Sequence, residues 1–431
     1  MPFSMLEYTQ LRRIYIGSLA GWVMDAFDLS MMFLLVPAMA DAFFPAKYGL
    51  ALVGTWSIYT TTFIFRPIGG VLFGRLGDKI GRRATMMITL TGLGLAVFIT
   101  GFLPTYAEVG ALAPLSLFIL RAVTGTFAGG EYGNSAAILV ENVDKQVRGF
   151  WGALLQSGYP IGYTLAALTY LALHYVIVGP RFALIGWRVM FWIGIIPAII
   201  GLIIRLSMPE SSLWERTVRE KGASKAPFTT ILRTKEYAIG ALTGILAMTG
   251  IAWVYGLTLG FFPTILSLHG FMQFPYFLYV VIIAILISLL GYVVAGFASD
   301  RIGRRLTMVI YSTLAIIAAI PLTRLLLGHA YGFYGAVITA SVIAFLTTGV
   351  YGVIPAFLAE KFPTSIRSTG VGFSFNGGFI VGNWSTALLL LLSSIQSSDF
   401  YVYWGIFIMI GEALILASAA LSRETKGMEI N

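Results

Sequence analysis

Two acidic residues, Asp25 and Asp28, stand three positions apart inside an otherwise apolar stretch, GWVMDAFDL at 21–29. Residues at i and i+3 of a helix share one face, so the two carboxyls are expected to lie close together. Two carboxylates in a poorly hydrated cavity resist being ionised together, and one of them can therefore bind and release a proton. The spacing predicts a proton-exchange site. The alternative is a structural ion pair between one of these residues and Arg66 or Arg121.

Four further ionisable side chains fall inside apolar stretches: Arg66, Arg121, Glu131 and Glu412. A charge at the centre of a bilayer costs about 2.5–3.5 kcal/mol on insertion scales, so each one needs a partner or a function. Arg121 keeps its charge, so it either holds a substrate carboxylate, modulates the proton-carrying acid, or forms a permanent ion pair with Asp28 or Glu131. Glu131 is a second candidate for proton exchange. Glu412 is expected to serve packing, and Arg66 to line a cavity or cap the end of its helix.

The composition of the chain is that of a membrane protein. Of its 431 residues, 58% are hydrophobic and 11% charged, and the mean hydropathy is +0.86, whereas about half of a soluble domain is apolar and about a quarter is charged. Apolar stretches long enough to cross the hydrocarbon as helices, about 20 residues each, recur along the chain. We therefore predict an all-α membrane protein whose backbone groups are bonded within helices. The predicted spans are 12–38, 50–75, 83–104, 112–141, 147–176, 187–207, 237–267, 274–299, 304–327, 331–359, 366–394 and 400–421.

These twelve spans form two groups of six around a polar segment. The predicted organisation is an N-terminal six-helix bundle at 1–207, a cytoplasmic linker at 208–236, and a C-terminal six-helix bundle with a short tail at 237–431. If both termini are cytoplasmic, 22 of the 28 Lys and Arg residues fall in cytoplasmic segments, four in outer loops and two within spans. This asymmetry is what the positive-inside rule requires, so we predict cytoplasmic termini.

Several other function classes are disfavoured. The chain has no Cys, which excludes disulfides and thiol chemistry, and its three His residues show no metal-ligand spacing. No GxxxxGK[ST] phosphate-binding motif is present, which disfavours a nucleotide-driven mechanism. The net charge of +9 comes from short basic patches between spans, so we expect no nucleic-acid partner. We also expect no metal, no cofactor and no enzymatic activity.

A charged phrase of ten residues occurs twice, as GRLGDKIGRR at 74–83 and GFASDRIGRR at 296–305. A second echo is a Glu followed seven residues later by an Arg, and its two copies are Glu141–Arg148 and Glu360–Arg367. The copies are separated by 222 residues (296 − 74) and by 219 residues (360 − 141). These near-equal offsets indicate a parallel duplication of a six-span half. Both copies of the phrase fall at predicted cytoplasmic turns, after the second and the eighth span.

The duplicated residues have the chemistry of a cytoplasmic gate. Gly74 and Gly296 allow close helix approach, and Gly81 and Gly303 allow a tight bend. The Asp of each phrase can meet a helix N-terminus or a basic partner, and its two Arg residues can pair with the Glu of either echo. Such ion pairs would hold one conformation shut and break in another; the alternative is that they only anchor the loops on the cytoplasmic side. The predicted gate residues are Gly74, Asp78, Arg82, Arg83, Glu141, Arg148, Asp300, Arg304, Arg305, Glu360 and Arg367.

The repeated phrase resembles the signature loop of the major facilitator superfamily, and the likeness covers essentially the whole chain. RAVTGTFAG at 121–129 is similar to the family's motif on the fourth span. GWR at 186–188, PES at 209–211 and ETKG at 424–427 resemble the sugar-porter and metabolite–proton symporter branches.

A finer resemblance covers residues 129–163, GGEYGNSAAILVENVDKQVRGFWGALLQSGYPIGY. Together with 21–29, this segment looks like the sialate–proton symporter family, which includes Jen-type lactate and pyruvate permeases. IRSTGVGFSFNGG at 366–378 also resembles metabolite–proton symporters. Jen-type permeases place His, Gln and Asp ahead of a Tyr-Pro-Thr in the seventh span, whereas the corresponding stretch here, VYGLTLGFFPT at 254–264, has no ionisable residue.

The resemblance implies a secondary transporter that works by alternating access, with its substrate bound between the two halves. Together with the intramembrane acids, it implies proton symport through Asp25 and Asp28, or through Glu131. The expected substrate is a small organic anion, a monocarboxylate; a neutral sugar or polyol is the alternative substrate, and a receptor or an exporter is the alternative class. The expected partners are this small molecule, protons and membrane lipids, and the chain is expected to be a monomer in a prokaryotic cell membrane.

Candidate substrate contacts combine one fixed charge with neutral polar side chains. The alternative for any single neutral residue is packing, or a hydrogen bond between helices worth about 0.6 kcal/mol on average. Two glycine-rich stretches, 125–133 and 375–382, predict faces that let helices pack closely. The candidate substrate contacts are Arg121, Asn134, Gln156, Tyr159, Tyr163, Tyr255, Tyr351, Asn376 and Asn383.

Overall fold

The computed structural model describes residues 5–45, 48–222, 224, 226–268, 276–328, 332–393 and 397–430. Lys47, Lys225, His269 and His329 lie outside these residues. The described residues form helices and turns and no β-strand, which confirms the all-α prediction. The α-helices of the first half are α1 (Met5–Phe43), α2 (Tyr48–Ile80), α3 (Arg82–Thr100), α4 (Tyr106–Val109), α5 (Leu112–Glu141), α6 (Arg148–Gln156), α7 (Gly158–Ala172), α8 (Trp187–Ile193), α9 (Ile195–Leu206), α10 (Ser212–Lys221) and α11 (Pro227–Arg233).

The second half continues the helical pattern. Its α-helices are α12 (Lys235–Leu257), α13 (Phe262–Leu268), α14 (Tyr276–Ile302), α15 (Arg304–Leu327), α16 (Gly332–Thr348), α17 (Ile354–Ala359), α18 (Arg367–Gly377), α19 (Phe379–Gly382), α20 (Ser385–Leu392) and α21 (Phe400–Leu421). Short 3₁₀ or π segments cover Leu173–Ile177, Gly179–Arg181, Phe182–Gly186, Gly349–Val353 and Thr364–Ile366.

Eleven helical segments within the described residues are long and apolar enough to cross a membrane. The remaining predicted span, 50–75, falls in α2, which runs for 33 residues. The burial pattern reverses that of a soluble protein, because many large apolar side chains are exposed on the spans while several arginines, among them Arg66, Arg121 and Arg205, are fully buried. Apolar side chains can face lipid tails at no cost, whereas a charge must find its partner inside the protein. The count of twelve spans and the cytoplasmic termini stay predictions.

The chain forms two compact units. Unit 1 comprises Met1–Asn142, Ile161–Phe228 and Thr364–Phe373, and unit 2 comprises Val143–Pro160, Thr229–Pro363 and Ser374–Asn431. Each unit therefore holds one short segment from the opposite half of the sequence. These exchanged segments carry the arginines of the two echoes, Arg367 in unit 1 and Arg148 in unit 2.

Glycines bring α2 and α5 into backbone contact in unit 1. A Cβ at Gly125 would lie 2.2 Å from the carbonyl oxygen of Thr62, and a Cβ at Gly129 would lie 1.9 Å from that of Arg66. No side chain fits in such gaps, so glycine is required at both positions. This confirms that the stretch at 125–133 is a close-packing face.

Three of the helix interruptions in unit 2 fall inside predicted spans. One lies at Ser157, one at 258–261 between α12 and α13, and one at the 3₁₀ segment Gly349–Val353. Irregular backbone at membrane depth is tolerated where it is buried in protein or lines a cavity. We therefore expect each interruption to be buried in the protein or to line a cavity.

Candidate functional site

Asp25 of α1 forms an ion pair with Arg66 of α2 in unit 1. Nη1 of Arg66 donates to Oδ1 at 2.9 Å, and Nη2 donates to Oδ2 at 2.6 Å. Both residues are fully buried, and a two-point contact of this kind is among the stronger hydrogen-bonded pairs in proteins. Asp25 is thus held in the ion pair that the sequence analysis gave as the alternative to proton exchange.

Asp28, one turn further along α1, binds Arg121 of α5. Nη1 of Arg121 donates to both carboxylate oxygens, at 3.0 and 3.1 Å, and Nη2 donates to the hydroxyl of Thr100 at 3.2 Å. The guanidinium carbon lies 5.6 Å from the ring centre of Phe191. The Nε–H of Arg121 is buried and has no hydrogen-bond partner among the described residues. The pair is therefore shielded from solvent, and the Nε–H of Arg121 is available as a hydrogen-bond donor.

Glu131 of α5 binds Arg205 of α9. Arg205 is one of the 22 Lys and Arg residues that the sequence analysis counted as cytoplasmic, at the end of the span 187–207. Arg205 is instead fully buried. Its Nη1 and Nη2 both donate to the carboxylate of Glu131, while further hydrogen bonds reach two backbone carbonyl oxygens. The hydroxyls of Thr89 and Ser135 also donate to Glu131, at 2.7 and 3.0 Å. Four donors thus saturate this carboxylate.

Gly21, at the start of the quoted α1 stretch, makes room for the Glu131–Arg205 pair. A Cβ at this position would lie 2.0 Å from Oε1 of Glu131 and 2.1 Å from Nη2 of Arg205. Both distances are far inside van der Waals contact. The glycine therefore lets α1 lie directly on the ion pair.

The residues of the first repeated phrase build a cluster of buried ion pairs in unit 1, which we call cluster A (Asp78, Arg82, Glu141, Glu210 and Arg367). Glu141 accepts from Nη2 of Arg82 at 3.0 Å and from Nη1 of Arg367 at 2.7 Å. Arg82 lies 3.2 Å from Asp78. The two oxygens of Asp78 accept the backbone N–H groups of residues 368 and 369, each at 3.1 Å, at the beginning of α18. Asp78 therefore caps a helix and binds an arginine at once.

The second phrase builds the matching cluster in unit 2, which we call cluster B (Arg148, Asp300, Arg304, Glu360 and Glu424). Glu360 accepts from Nη2 of Arg304 at 2.9 Å and lies 3.7 Å from Arg148. Asp300 binds Nη1 of Arg304 at 2.7 Å and accepts the backbone N–H groups of residues 149 and 150 at the beginning of α6. Each glutamate thus binds the arginine of the other echo, and the two clusters share one design.

The second arginine of each phrase differs from its prediction. Arg83 and Arg305 do not pair with Glu141 or Glu360; the Nε of each donates to a backbone carbonyl oxygen near the end of a span, at 3.1 Å to residue 205 and 2.7 Å to residue 419. The reason is the helix direction, because adjacent side chains on a helix point about 100° apart and only one of them faces the cluster. The predicted bends are confirmed, since φ is +108° at Gly81 and +103° at Gly303.

Two glutamates of the clusters were not among the predicted gate residues. Glu210 accepts the backbone N–H groups of Arg82 and Arg83, and Glu424 accepts those of Arg304 and Arg305, all within 3.1 Å. Burial raises the pKa of Glu210 although backbone donors oppose the shift. At Glu424 burial is outweighed by four backbone N–H donors, which hold its pKa below the usual value.

A sequence signal for these glutamates exists. Glu210-Ser211 and Glu424-Thr425 both read as an acid followed by a hydroxyl residue, and they are 214 positions apart (424 − 210), close to the other offsets. The hydroxyl of Ser211 donates to Glu141 and that of Thr425 to Glu360. The PES stretch at 209–211 and the ETKG stretch at 424–427 therefore contribute to the clusters.

Three predicted substrate contacts meet in unit 2 at the helix interruptions. The ring centres of Tyr159 and Tyr255 are 5.0 Å apart, and those of Tyr255 and Tyr351 are 6.4 Å apart. Tyr292 of α14, which the sequence analysis did not select, stacks on Tyr351 at 5.9 Å. We call these four residues the tyrosine cluster. Each of the first three lies within or beside one of the interruptions described above.

The other candidates lie elsewhere. In unit 1, the Nδ2 of Asn134 donates to carbonyl oxygens of residues 73 and 130, so it serves the packing of α5, and Tyr163 is buried in α7. In unit 2, Asn383 donates to a carbonyl oxygen one turn earlier. Gln156 and Asn376 are fully buried. The roles of all five residues in substrate binding stay predictions.

Glu412 is the one predicted intramembrane acid of the second half. It is fully buried on α21, and neither of its carboxyl oxygens meets the distance and angle criteria for a hydrogen bond with a described residue. The hydroxyl of Ser312 on α15 lies close to the carboxyl group of Glu412. Glu412 therefore lies between packed helices, and its packing role stays a prediction.

Known proteins share this architecture. The model of the Major Facilitator Superfamily matches residues 19–386. The inner membrane metabolite transport protein YhjE of Escherichia coli K12 is 31% identical over 437 residues, and the alpha-ketoglutarate permease of the same strain is 29% identical over 430; each alignment covers 97% of this chain and 96% of the relative. The proton:xylose symporter XylE, solved with 6-bromo-6-deoxy-D-glucose, has the same fold, with a TM-score of 0.80 at 18% identity and 98% of both chains covered.

The described residues form a multi-pass helical fold with paired charges buried in its spans. The chain belongs to the Major Facilitator Superfamily. It is a multi-pass protein of the cell membrane, related to metabolite transporters of bacterial inner membranes.

Proposed function

We propose that this chain is a proton-coupled symporter of a small organic anion, a monocarboxylate, that works by alternating access. The single observation that carries the proposal is the buried Asp28–Arg121 pair, in which the arginine keeps an unused Nε–H donor. An ion pair that can accept both a proton and a carboxylate has the two functions that such a transporter needs.

The charge balance of this pair couples its two ligands. While Asp28 is ionised it neutralises Arg121, so a substrate carboxylate there would bring an uncompensated charge into a buried site. A proton on Asp28 removes that charge and leaves the planar guanidinium of Arg121 to bind the carboxylate at two points. One proton and one monocarboxylate then enter together without net charge, which predicts electroneutral symport.

The other two pairs receive different roles. Glu131 has four donors, so a proton there would disrupt several hydrogen bonds and leave Arg205 uncompensated; we assign it to holding α1, α5 and α9 together. Asp25 stands one turn from Asp28 on the same helix face, and its charge acts directly on the proton of Asp28. Asp25 is itself held by Arg66, so we assign proton exchange to Asp28 and a supporting role to both Asp25 and Glu131.

The substrate class rests on Arg121 and on a relative. The relative named alpha-ketoglutarate permease, at 29% identity over nearly the whole chain, supports an organic acid as substrate. The tyrosine cluster supports a small substrate with an apolar or hydroxylated body, because aromatic rings with hydroxyl groups supply both kinds of contact. We therefore propose that Arg121 of unit 1 binds the carboxylate; within unit 2, Tyr159, Tyr255 and Tyr351 stay candidate substrate contacts.

A neutral sugar or polyol is the second candidate substrate. It is favoured by the pairing of Arg66, Arg121 and Arg205, each of which already has a carboxylate partner. A site that uses only the tyrosine cluster would bind hydroxyl groups without needing to free an arginine.

We propose that clusters A and B act as gates. Each holds an exchanged segment, 364–373 or 143–160, through an arginine and through an aspartate at a helix N-terminus. Release of both contacts would free that segment from its unit, so each cluster stabilises one conformation.

The test is a thermal-shift screen of the purified protein against short monocarboxylates, 2-oxoglutarate and neutral sugars, at pH 6 and pH 8. A monocarboxylate is expected to raise the unfolding temperature more at pH 6, because binding takes up a proton. Stabilisation by sugars alone, equal at both pH values, would favour the second candidate. The same ligand must then show counterflow in proteoliposomes, which a receptor does not.

A further inference from the structure

A cavity in unit 2 carries a half-buried lysine, Lys361, that neither cluster needs. It has a volume of about 590 Å³ and opens beside cluster B, between the start of α12, the turn after α17 and the tail that follows α21. Lys361 lines it, and its Nζ donates to the hydroxyl of Thr243 at 2.7 Å and to that of Ser422 at 2.9 Å. Nζ also lies 3.9 Å from the ring centre of Phe357. The three groups that Nζ contacts are thus neutral.

The duplication shows that Lys361 is an addition to the shared design. Cluster A has Asn142 directly after its glutamate, whereas cluster B has Lys361 after Glu360. The ion pairs of the two clusters otherwise match. The charge of Lys361 is therefore not required to balance cluster B.

The acidic residues of the cavity are committed elsewhere. Glu360 binds Arg304 and the hydroxyl of Thr425, and Glu424 is occupied by backbone N–H groups. Glu236 lies 3.9 Å from Arg423, and both are largely exposed. Lys235 is the first residue of α12 and lines the cavity. The N-terminal end of this 23-residue helix adds partial positive charge there. Three acidic and three basic side chains line the cavity, and of the bases Lys361 and Lys235 form no ion pair within 4.0 Å among the described residues.

We propose that this cavity is a binding site for an oxyanion of the phosphate type, held by Lys361 with Lys235 and the N-terminal end of α12. A tetrahedral oxyanion supplies the negative charge that Lys361 lacks and can accept several hydrogen bonds at once. The phosphate can come from a free ion or from the headgroup of an anionic lipid. The proposal is independent of the transported substrate and of the Asp28–Arg121 pair.

The site is expected to respond to pH in the physiological range. Burial lowers the pKa of Lys361 to about 7, so the group that binds the anion loses its charge on a modest rise in pH. The other charged groups that face it are Lys235 and Glu236 on α12, Glu360 beside it, and Arg423 and Glu424 on the tail. If only protonated Lys361 binds, affinity falls by about 25-fold between pH 6.5 and pH 8.5.

The experiment measures sulfate binding by calorimetry to the full chain in phosphatidylcholine nanodiscs, at constant ionic strength. Sulfate is the probe because its charge does not change over this pH range. We expect binding that weakens by about 25-fold from pH 6.5 to pH 8.5, is lost in Lys361→Met, and becomes nearly independent of pH in Lys361→Arg. Lys79→Met, an exposed lysine of unit 1 outside the cavity, is the matched control and is expected to bind as the unmodified chain does.

A second experiment, with lipid, distinguishes a free anion from a lipid headgroup as the source of the phosphate. Native mass spectrometry after incubation with phosphatidylglycerol counts retained lipid on the unmodified chain, Lys361→Met and Lys79→Met. Retention lost only in Lys361→Met, with weak sulfate binding, assigns the site to a headgroup; strong sulfate binding without such retention assigns it to a free anion. Absence of both, or equal binding by Lys361→Met and the unmodified chain, overturns the proposal.

Discussion

The Asp28–Arg121 pair gives the sharpest prediction that needs no substrate. The perturbation is a double-mutant cycle of Asp28→Asn, Arg121→Gln and the double variant. Each single variant leaves one buried charge without its partner, and the double variant leaves two neutral amides. The cycle therefore measures how strongly the two charges depend on each other.

The expected magnitude follows from the geometry. The charged atoms are 3.0 Å apart and both side chains are shielded from solvent, which corresponds to about 5 kcal/mol of Coulomb energy at an effective dielectric constant of about 20. Truncating one partner of a buried pair costs about 3–5 kcal/mol. The double variant is expected to lose less stability than either single variant, because no unpaired charge remains.

The assay is thermal unfolding of purified protein in detergent, followed by tryptophan fluorescence, with Asp41→Asn as the matched control. Asp41 lies on the same helix but is exposed, so the same substitution is expected to change stability by less than about 0.5 kcal/mol. If Asp28→Asn unfolds at the same temperature as Asp41→Asn, or if the double variant is additive, the charges are not coupled and the reasoning fails.

Three further predictions concern other parts of the molecule. Gly21→Ala is expected to lower the unfolding temperature by several degrees, because its Cβ would fall 2.0 Å from Glu131; an unchanged temperature would show that α1 does not rest on that pair. Arg82→Gln is expected to cost about 3–5 kcal/mol and Arg83→Gln at most about 1 kcal/mol in the same assay, and equal losses would contradict the separation of their roles. Lys361→Met is expected to stabilise the protein more at pH 6 than at pH 9. The folded pKa of about 7 lies below the free value of 10.5, so the cost of burying the charge is complete below pH 7 and declines as the pH rises above it. A gain that is equal at both pH values would contradict this.

Much of clusters A and B is predicted from the sequence, because the same phrase occurs twice. Asp78 and Asp300 each cap a helix and bind an arginine, as the chemistry of the phrase requires. The phrase alone does not specify which glutamate pairs with which arginine. Arg367 binds Glu141 because the chain exchanges segments between units, and exchange is a property of topology that no local spacing records.

Arg205 shows a different limit. Its place two residues before the end of a predicted span gives it the same pattern as a cytoplasmic anchor, and positive-inside counting treats it so. It is buried because Gly21 leaves space for it and because Glu131 offers a carboxylate there. Pairing across three helices depends on how α1, α5 and α9 pack, which a sequence pattern on any one of them does not contain.

The tyrosine cluster was predicted only in part from the sequence. Polar aromatic residues near Gly and Pro could be selected from the sequence, and Tyr159, Tyr255 and Tyr351 do come together. Tyr292 directly follows Gly291 and so shows the same signal, but it was not selected; it lies in α14, a helix without interruption. Its partner is fixed by packing rather than by any nearby signal.

The central claim is that a proton on Asp28 accompanies the substrate, and uptake into proteoliposomes tests it most directly. The substrate is the monocarboxylate found by the thermal-shift screen, and the driving force is an inward pH gradient of one unit. One-to-one electroneutral symport predicts accumulation approaching about tenfold, and Asp28→Asn is expected to exchange substrate but not to concentrate it. Accumulation by Asp28→Asn equal to that of the unmodified chain would contradict the account.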